Sequence, residues 1–314
     1  MAHYESVHQI RTLNDLKNRL SSSRRCFIYT HSTMPYEPLV ILHIALTNSI
    51  SSNIQDLIKY SIKEPSNNAQ FNKDEATNAI FYSINSCQKG LQNVDLGNAL
   101  IKSCVRLLLT ELPNLKYFHT LSPIPKFKEW LDLKISIAIT NSNQQDASKK
   151  NEFFDIDKCF SGDELNKLKQ IFEIKTEDKK SILYEKIKQH INSSKFKFDQ
   201  FQVSIQKSEQ ELKANEILGN FLNRSCAFYL FYEKKSGYAF NSVANFHLRN
   251  GAQIYRINFG GDISDKGWNN SYSMMVNYGY YLNELNHNCV SYLSDKTIKT
   301  SELVDKYLEN FKSS

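Results

Sequence analysis

Three apolar stretches in the first third of the chain have the length and the β-branched character of strands. They cover residues 24–31 (RRCFIYTH), 37–46 (EPLVILHIAL) and 79–85 (AIFYSIN), and prolines at 35 and 38 mark the turn between the first two. The third stretch is apolar on both faces, which is typical of a strand in the middle of a sheet that helices cover. After the second apolar stretch and the polar segment TNSISSN, the sequence predicts a short helix over residues 51–60.

The next part of the chain changes to the periodicity of an amphipathic helix. A loop from residue 87 runs into apolar residues spaced three and four apart up to residue 112, and Pro113 ends the pattern. A fourth strand is predicted over 115–121 and a helix over 127–139. This order of strand, helix and strand is a βαβ unit, so we expect an α/β or α+β fold.

The second half begins with a change in composition. Residues from about 141 to 210 are rich in Asn, Gln, Lys, Asp and Ser, and they predict a polar helical insertion with little chemistry of its own. We therefore expect one main domain over residues 1–314 that carries this insertion. Beyond it the pattern predicts a long helix over 209–232, a turn and a histidine-bearing segment, a strand over 253–259, a tyrosine-rich helix over 274–285 and a terminal helix over 296–311.

Composition and charge narrow the class of protein. Hydrophobic residues make up 41% of the 314 residues and aromatic residues 12%, which is enough to fold around a core without metals or disulfides. The net charge is +6, but the lysines are scattered rather than gathered in a basic stripe, so we expect no nucleic-acid partner. Six cysteines without CxxC spacing indicate reduced thiols and no zinc module.

Targeting signals are not evident in the sequence. No apolar run is long enough for a membrane span, and the first residues, MAHYESVHQI, lack the patterns of a signal peptide and of a transit peptide. We therefore expect no membrane partner and a cytoplasmic location. The chain ends FKSS rather than in the peroxisomal tripeptide SKL, and mitochondrial and peroxisomal locations stay open.

A glycine-containing loop between the third strand and the following helix is the first candidate binding site. Free backbone N–H groups and the positive end of a helix dipole suit a pyrophosphate, so the loop predicts a phosphate site. The alternative is a plain connection in which the glycines only make the turn. The residues concerned are Gly90, Leu91, Gln92, Asn93, Val94, Asp95, Leu96 and Gly97.

Ser122 is the second candidate. It follows the fourth predicted strand and precedes Pro123, which holds it extended at the edge of the sheet where ligands of α/β proteins bind. Its neighbours lack the glycines of a nucleophile elbow, so we expect it to hydrogen-bond rather than to attack. The alternative is a serine that only serves the turn.

His247 is the third candidate. It lies in the segment NFHLRNGA, just before Asn250 and Gly251, which suit a tight turn into the next strand. A histidine that only serves the core is the alternative. Periodicity does not choose among the histidines at or near predicted strands, which also include His31, His43 and His119.

Ten short segments, taken in order, make the chain resemble malonyl-CoA decarboxylases. They are YESVH, EPLVILHIAL, SISSNIQ, AIFYSIN, GLQNVDLG, LIK, LSPIP, GYAFNSVANFHLRNGA, YRIN and SYL. The resemblance runs from about residue 4 to residue 304, outside the polar insertion. It implies an acetyltransferase-like fold, a mixed central sheet flanked by helices, and a pyrophosphate loop similar to the one with which GNAT acetyltransferases grip coenzyme A.

The resemblance also implies a reaction. Malonyl-CoA would be decarboxylated to acetyl-CoA and carbon dioxide without a metal or an organic cofactor, as a step of malonyl-CoA turnover in fatty acid metabolism. Ser122 falls on the serine of SPIP, His247 on the histidine of ANFHLxNGA, and Ser83 and Asp95 on further polar positions of the active site. We expect His247, with a pKa near neutrality, to supply a proton to the product and Ser122 to orient it.

The sequence departs from the pattern of the family in the loop and at its start. Asp95 stands where the family usually has Glu, and Asn93 where it usually has Gly. We expect the chain to lack the helical domain that usually precedes YESVH, so the resemblance allows a homo-oligomer without defining its form. An acyl-CoA acyltransferase or thioesterase, and a catalytically silent acyl-CoA-binding protein, are the alternative functions.

Overall fold

The computed structural model describes residues 5, 7–8, 10–59, 75–91, 96–143, 154–193, 196 and 208–312. They divide into two compact units, each assembled from separate stretches of the chain. The first unit takes the described residues up to Ser122, His247–Ile254 and Val276–Lys299. The second takes Pro123–Phe246, Tyr255–Met275 and the described residues from Thr300 on. The expectation of one main domain stays a prediction.

Strands in the described residues form one mixed sheet and one small hairpin. They are β1 (Arg24–Thr30), β2 (Pro38–Thr47), β3 (Asn78–Ser86), β4 (Tyr117–Thr120), β5 (Ser122–Pro123), β6 (Lys234–Lys235), β7 (Tyr238–Ala239), β8 (Gln253–Asn258) and β9 (Met275–Gly279). The sheet order is β1-β2-β3-β4-β9-β5, β8 also pairs with β9, and β6 and β7 form the hairpin. β3 and β4 are parallel, whereas β2 is antiparallel to both of its neighbours and β9 is antiparallel to β4.

Strands β2 and β3 lie inside the sheet and are buried along most of their length. All residues from 39 to 46 are buried, and so are those from 78 to 83. Their mainly apolar sequences match this burial, because a strand covered on both faces needs no polar side to face water. The predicted strands and the predicted mixed sheet are confirmed.

A β-bulge in β3 changes which side chains share a face of the sheet. The register with β2 shifts beside His43, which pairs with Ser83, so that Tyr82 is an extra residue. In such a bulge two residues oppose one residue of the partner strand. Tyr82 stacks on His43 with ring centroids 5.9 Å apart, whereas Phe81 meets Tyr280 at 6.2 Å. Ser83 therefore projects with Tyr82 toward His43, away from the side of Phe81.

Helices of the described residues cover most of the segments with helical spacing. They are α1 (Leu13–Asn18), α2 (Ile54–Lys59), α3 (Leu96–Glu111), α4 (Phe127–Asn143), α5 (Gly162–Ile171), α6 (Lys180–Ile191), α7 (Glu209–Phe231), α8 (Ser242–Arg249), α9 (Asp265–Ser271), α10 (Leu285–Asp295) and α11 (Glu302–Leu308). The predictions for α2, α3, α4 and α7 are confirmed. None of these helices combines the length and the apolar character that crossing a lipid bilayer requires.

The described part of the polar insertion, residues 154–193, contributes two helices to the second unit. Ser161 and Glu164 form a capping box that starts α5, and Glu164 also pairs with Arg224 of α7 at 2.6 Å. α6 packs against α4. The predicted helical character is confirmed here, while residues 144–153 and 197–207 lie outside the described residues.

The predicted helix over residues 274–285 is wrong. Met275–Gly279 is the buried strand β9, and α10 begins only at Leu285. Val276, Tyr278 and Tyr280 alternate along this segment, and aromatic and branched side chains favour a strand. Pairing with β4 satisfies this preference, which outweighs the helical spacing of the same residues.

Short elements of the second half differ from the predictions as well. The histidine-bearing segment is the helix α8, which begins after Asn241, whose side chain accepts from Ala244 N at 3.0 Å. The terminal helix covers Glu302–Leu308 rather than the predicted 296–311. Asp265–Ser271 forms the unpredicted helix α9. Helices of seven or eight residues are too short for their periodicity to stand out from the flanking sequence.

Candidate active site

Ser122 and His247 meet in the first unit although 125 positions separate them in the sequence. Ser122 is in β5, and His247 is in the last turn of α8. Ser122 Oγ lies 3.2 Å from His247 Nε2, a hydrogen-bonding distance, and both side chains are buried. The structure thus brings together the two side chains that the sequence singles out.

Two tyrosines occupy the other sides of the imidazole. Tyr280 OH is 2.7 Å from His247 Nδ1, and the ring of Tyr278 stacks on the imidazole with centroids 4.5 Å apart. Ser122 Oγ in turn donates to Thr120 Oγ1 at 2.9 Å. Thr120, Ser122, His247 and Tyr280 therefore form a continuous hydrogen-bond chain, and we use that name for these four residues.

Burial sets the charge of the hydrogen-bond chain. Removal of the imidazole from water lowers the pKa of His247 to about 3, so the ring is neutral near pH 7. A neutral imidazole carries one N–H donor and one acceptor nitrogen. The expectation of a pKa near neutrality for His247 is therefore wrong, and a proton that His247 delivers has to come from the neutral ring.

The competing histidines have other surroundings. His31 is exposed to solvent. His119 is buried beside tyrosine rings, and His43 is buried beside a carboxylate that is described below. His247 is the candidate whose imidazole contacts the serine of LSPIP. This choice depends on contacts between distant parts of the chain, which is why local sequence could not make it.

Comparison with known proteins identifies the family. A sequence model of the malonyl-CoA decarboxylase C-terminal domain matches residues 1–314. The chain belongs to this family. It is 40% identical over 307 residues to the mitochondrial malonyl-CoA decarboxylase of Anser anser anser and 40% identical over 309 residues to that of Rattus norvegicus. The matches cover 98% of this chain but 54% and 56% of those relatives, so the chain spans about half of their length.

A solved malonyl-CoA decarboxylase has a similar fold. The crystal structure of the protein from Agrobacterium vitis matches with a TM-score of 0.69 and 28% sequence identity. The match covers 98% of this chain and 62% of that chain. The α/β fold that the resemblance implies is therefore confirmed over nearly the whole sequence.

A second buried network surrounds Glu5. The carboxylate accepts hydrogen bonds from Ser83 Oγ at 2.8 and 3.0 Å and from two backbone N–H groups at 2.9 Å each. Arg19 Nη1 and His43 Nε2 lie 3.7 and 3.4 Å from it, and Asn85 Nδ2 donates to Ser83 Oγ at 2.8 Å. We call these five residues the Glu5 cluster.

The Glu5 cluster is charged, unlike the hydrogen-bond chain. Burial by itself raises the pKa of Glu5, but hydrogen bonds from the His8 backbone and the Ser83 hydroxyl, together with neighbouring charge, outweigh it and lower the pKa below its usual value. Burial lowers the pKa of His43 to about 4, so this ring is neutral as well. The structure thus places Ser83, a predicted active-site residue, beside an ionised carboxylate rather than in the hydrogen-bond chain.

Sequence reasoning misses five residues of these networks, of which Tyr280 and Glu5 are the most consequential. Tyr280 is missed because a helix is predicted over residues 274–285. Its alternation with Tyr278 and Val276 is instead the pattern of a strand. Glu5 stands in YESVH, one of the segments that carry the resemblance, but nothing in its local pattern marks a buried carboxylate. Its side-chain partners come from β2, from β3 and from Arg19, the residue that follows α1.

The predicted pyrophosphate loop is described at its two ends. Gly90 and Leu91 are in the short 3₁₀ turn Lys89–Leu91, and Leu96 and Gly97 start α3. A Cβ placed on Gly90 meets no atom within 4 Å. The predictions for the middle of the loop fall outside the described residues, namely on Gln92, Asn93, Val94 and Asp95.

The described residues contain no cluster of metal ligands. No group of three or more His, Cys, Asp or Glu side chains in this part of the chain is placed to hold a metal ion. Coenzyme A is the group that the resemblance implies, and it belongs to the substrate.

Proposed function

We propose that the chain decarboxylates malonyl-CoA to acetyl-CoA and carbon dioxide, as a carboxy-lyase. The observation that carries the proposal is the buried, uncharged contact of Ser122, His247 and Tyr280. Membership of the malonyl-CoA decarboxylase family, and the names of the relatives from goose and rat, support the choice of substrate. Its place in metabolism would be malonyl-CoA turnover.

The reaction breaks the bond between the malonyl carboxylate and the neighbouring carbon. The electron pair that remains is taken up by the thioester carbonyl, which forms an enolate, and the enolate carbon then takes one proton. The thioester is itself the electron sink, so we propose that neither a metal nor an organic cofactor is needed. The protein has to stabilise the enolate oxygen, keep water out and supply the proton.

A neutral His247 suits these steps. Its surroundings exclude water, and a carboxylate that leaves water for such a site loses solvation, which favours its conversion to neutral carbon dioxide. A neutral imidazole donates a hydrogen bond or a proton without the cost of burying a cation. The low pKa of His247 is therefore compatible with a role of its neutral imidazole as a proton donor.

Tyr280 provides a second source of protons for the neutral ring. When Nε2 gives its proton to the reacting carbon, Nδ1 takes the hydroxyl proton of Tyr280. The imidazole then stays neutral and Tyr280 is left as a phenolate. Before the next turnover Nε2 takes a proton from solvent while Nδ1 returns its proton to Tyr280, which restores the starting form of both side chains. In this proposal His247 delivers the proton, Ser122 orients the imidazole, and Tyr280 supplies the proton that replaces the one delivered. We call this path the relay.

Acyl transfer or hydrolysis through an acyl-enzyme is the alternative reaction. It needs an activated serine on a glycine-flanked turn and a base that a further group orients. Ser122 is flanked by Leu121 and Pro123, and Nδ1 of His247 meets a phenol rather than a carboxylate. Both observations favour a hydrogen-bonding role for Ser122.

Incubation with malonyl-CoA followed by chromatography of the products tests the reaction. Acetyl-CoA as the product supports decarboxylation. Free coenzyme A would indicate a thioesterase, and unchanged malonyl-CoA would indicate a silent binding protein, so either result contradicts the proposal. Repeating the assay after dialysis against a chelator tests whether a metal is required.

Removal of either member of the serine and histidine pair should abolish most of the turnover. We expect His247→Ala and Ser122→Ala each to lower kcat by at least about a hundredfold with little change in coenzyme A affinity, because each breaks the route of the proton. His287→Ala and Ser294→Ala, at exposed positions of α10, are the matched controls and should keep native turnover. Unaltered turnover in either site variant would refute the assignment.

We propose that residues 90–97 hold the pyrophosphate of coenzyme A through backbone N–H groups and that Asp95 faces the acyl end. Gly90 allows a direct test, because a Cβ there meets no atom within 4 Å and the fold should accept a larger side chain. Gly90→Val should weaken coenzyme A binding about tenfold in a calorimetric titration. Gly162→Val, at a site with equally open space, is the control. Equal affinity in Gly90→Val would mean that the nucleotide binds elsewhere.

A further inference from the structure

Thr120, the last residue of β4, is fully buried, and two groups hold its hydroxyl oxygen. The backbone N–H of Tyr278 donates to Thr120 Oγ1 at 3.1 Å, and the hydroxyl of Ser122 donates to the same oxygen at 2.9 Å. Because a backbone N–H can only donate, the threonine oxygen has to act as an acceptor toward β9. The position of this oxygen is thereby fixed relative to the strand that carries Tyr278.

The backbone of Thr120 is held by hydrogen bonds as well. Asn277, which is fully buried, donates from Nδ2 to the carbonyl oxygen of Thr120 at 2.6 Å and to that of Ser51 at 3.0 Å. Consecutive residues of β9 thus hold Thr120 at its carbonyl and at its hydroxyl. These two hydrogen bonds from β9 limit the movement of Thr120, and therefore of the hydroxyl oxygen to which Ser122 donates.

The direction of the Ser122 proton determines the tautomer of His247. Because Ser122 gives its proton to Thr120, it faces His247 with a lone pair, and the 3.2 Å contact then needs the proton on Nε2. Nδ1 of the neutral ring is then an acceptor, and Tyr280 OH, at 2.7 Å, is its donor. In this tautomer the nitrogen that faces Ser122 carries the proton that the relay delivers.

We propose that Thr120 is a positioning residue, which holds Ser122 as an acceptor and thereby keeps His247 in the Nε2–H tautomer. The inference rests on the proposed function, because it concerns the proton supply of the same site. Without the threonine oxygen, Ser122 turns its proton toward Nε2. The imidazole proton then moves to Nδ1 and points at Tyr280, away from the reacting carbon.

Two substitutions of Thr120 test this role by kinetics. Thr120→Val removes the hydroxyl and keeps the branched shape, and it should lower kcat about tenfold or more with KM within about threefold of native. Thr120→Ser restores the oxygen and should recover most of the native kcat. Thr140→Val, which removes an exposed hydroxyl bonded to a helix carbonyl, is the matched control. Native kcat in Thr120→Val, or an equal loss in Thr120→Ser, would overturn the proposal.

Nitrogen-15 NMR of the imidazole measures the tautomer without turnover. His247→Gln identifies the signals, the native protein should show the Nε2–H form, and Thr120→Val should show the Nδ1–H form. The same tautomer in both proteins would overturn the proposal. If Thr120→Val does not fold, Thr120→Cys takes its place, because sulfur is a weaker acceptor, and a native tautomer with native kcat in that variant would overturn the proposal. Failure of the native protein to form acetyl-CoA would instead refute the proposed function, which this measurement does not require.

Discussion

The first unit holds two buried networks in which a serine hydroxyl and a histidine lie together, and they differ in charge. In the Glu5 cluster a carboxylate holds the proton of Ser83, and Arg19 balances its charge. In the hydrogen-bond chain both nitrogens of His247 meet uncharged hydroxyls, those of Ser122 and Tyr280. The β-bulge in β3 separates the two networks, because it turns Ser83 toward the carboxylate.

The difference teaches what a carboxylate does to a neighbouring serine. A charge-assisted hydrogen bond is about twice as strong as a neutral one, so the Ser83 proton is held in place. In an uncharged chain each proton can move by one position without leaving a buried cation behind. The same two residue types therefore fix a proton in one network and, in the proposed function, provide a proton route in the other.

The largest effect that we expect is a loss of protein stability when the charge of Glu5 is removed. Glu5→Gln leaves the buried Arg19 without its compensating charge, and it should lower the free energy of unfolding by about 3 kcal/mol or more. Urea unfolding followed by circular dichroism measures the loss. The kcat per folded molecule should stay near native, since the hydrogen-bond chain is untouched.

A control for this variant is available on the surface. Glu209 of α7 also pairs with a basic side chain, Lys213, but both are exposed, so Glu209→Gln should keep the native unfolding midpoint. A fall in kcat for Glu5→Gln at native KM would contradict the separation of the two networks. It would support the predicted place of Ser83 in the reacting site.

A smaller effect, confined to turnover, is expected at Tyr280. Tyr280→Phe keeps the ring but removes the hydroxyl at Nδ1, so the neutral imidazole loses its proton source and kcat should fall about 10- to 100-fold. The free energy of unfolding should change by no more than about 1 kcal/mol, because one neutral hydrogen bond is lost. Steady-state kinetics and urea unfolding of the same preparation measure both quantities.

The matched control for this change is Tyr36→Phe, because Tyr36 is fully exposed and should tolerate the loss of its hydroxyl without any effect. A Tyr280→Phe variant with native kcat would show that Nδ1 takes no proton from the phenol. The relay would then be wrong, while Ser122 and His247 would still be open to the test described above.

Much of the fold could be predicted because its elements in the first half are long and regular. β2 and β3 are mainly apolar runs, and α3 and α4 repeat their apolar residues at helical spacing. β9 has only five residues, and the apolar and aromatic residues in and around it allow helical spacing as well as strand alternation. Pairing with β4 decides between the two, and that pairing is a contact between distant parts of the chain.

The site could be predicted only in its two principal residues. Ser122 and His247 follow from the order of LSPIP and VANFHLRNGA among the other segments of the resemblance. The immediate sequence around each residue favours a purely structural role instead. The neutral charge of His247 depends on burial by residues that are far away in the sequence. Thr120 and Tyr280 gain their roles from the register of β9, which no local pattern contains.

The 125 positions between Ser122 and His247 have a consequence for how the protein is synthesised. A ribosome completes β1 to β4 and the serine long before α8 and β9 emerge, and domains fold as their chain becomes available. A fragment released in that interval carries the serine without the imidazole or the phenol. If the proposed function holds, an incomplete copy has no proton source for the reaction, and turnover begins only when translation has passed both late elements.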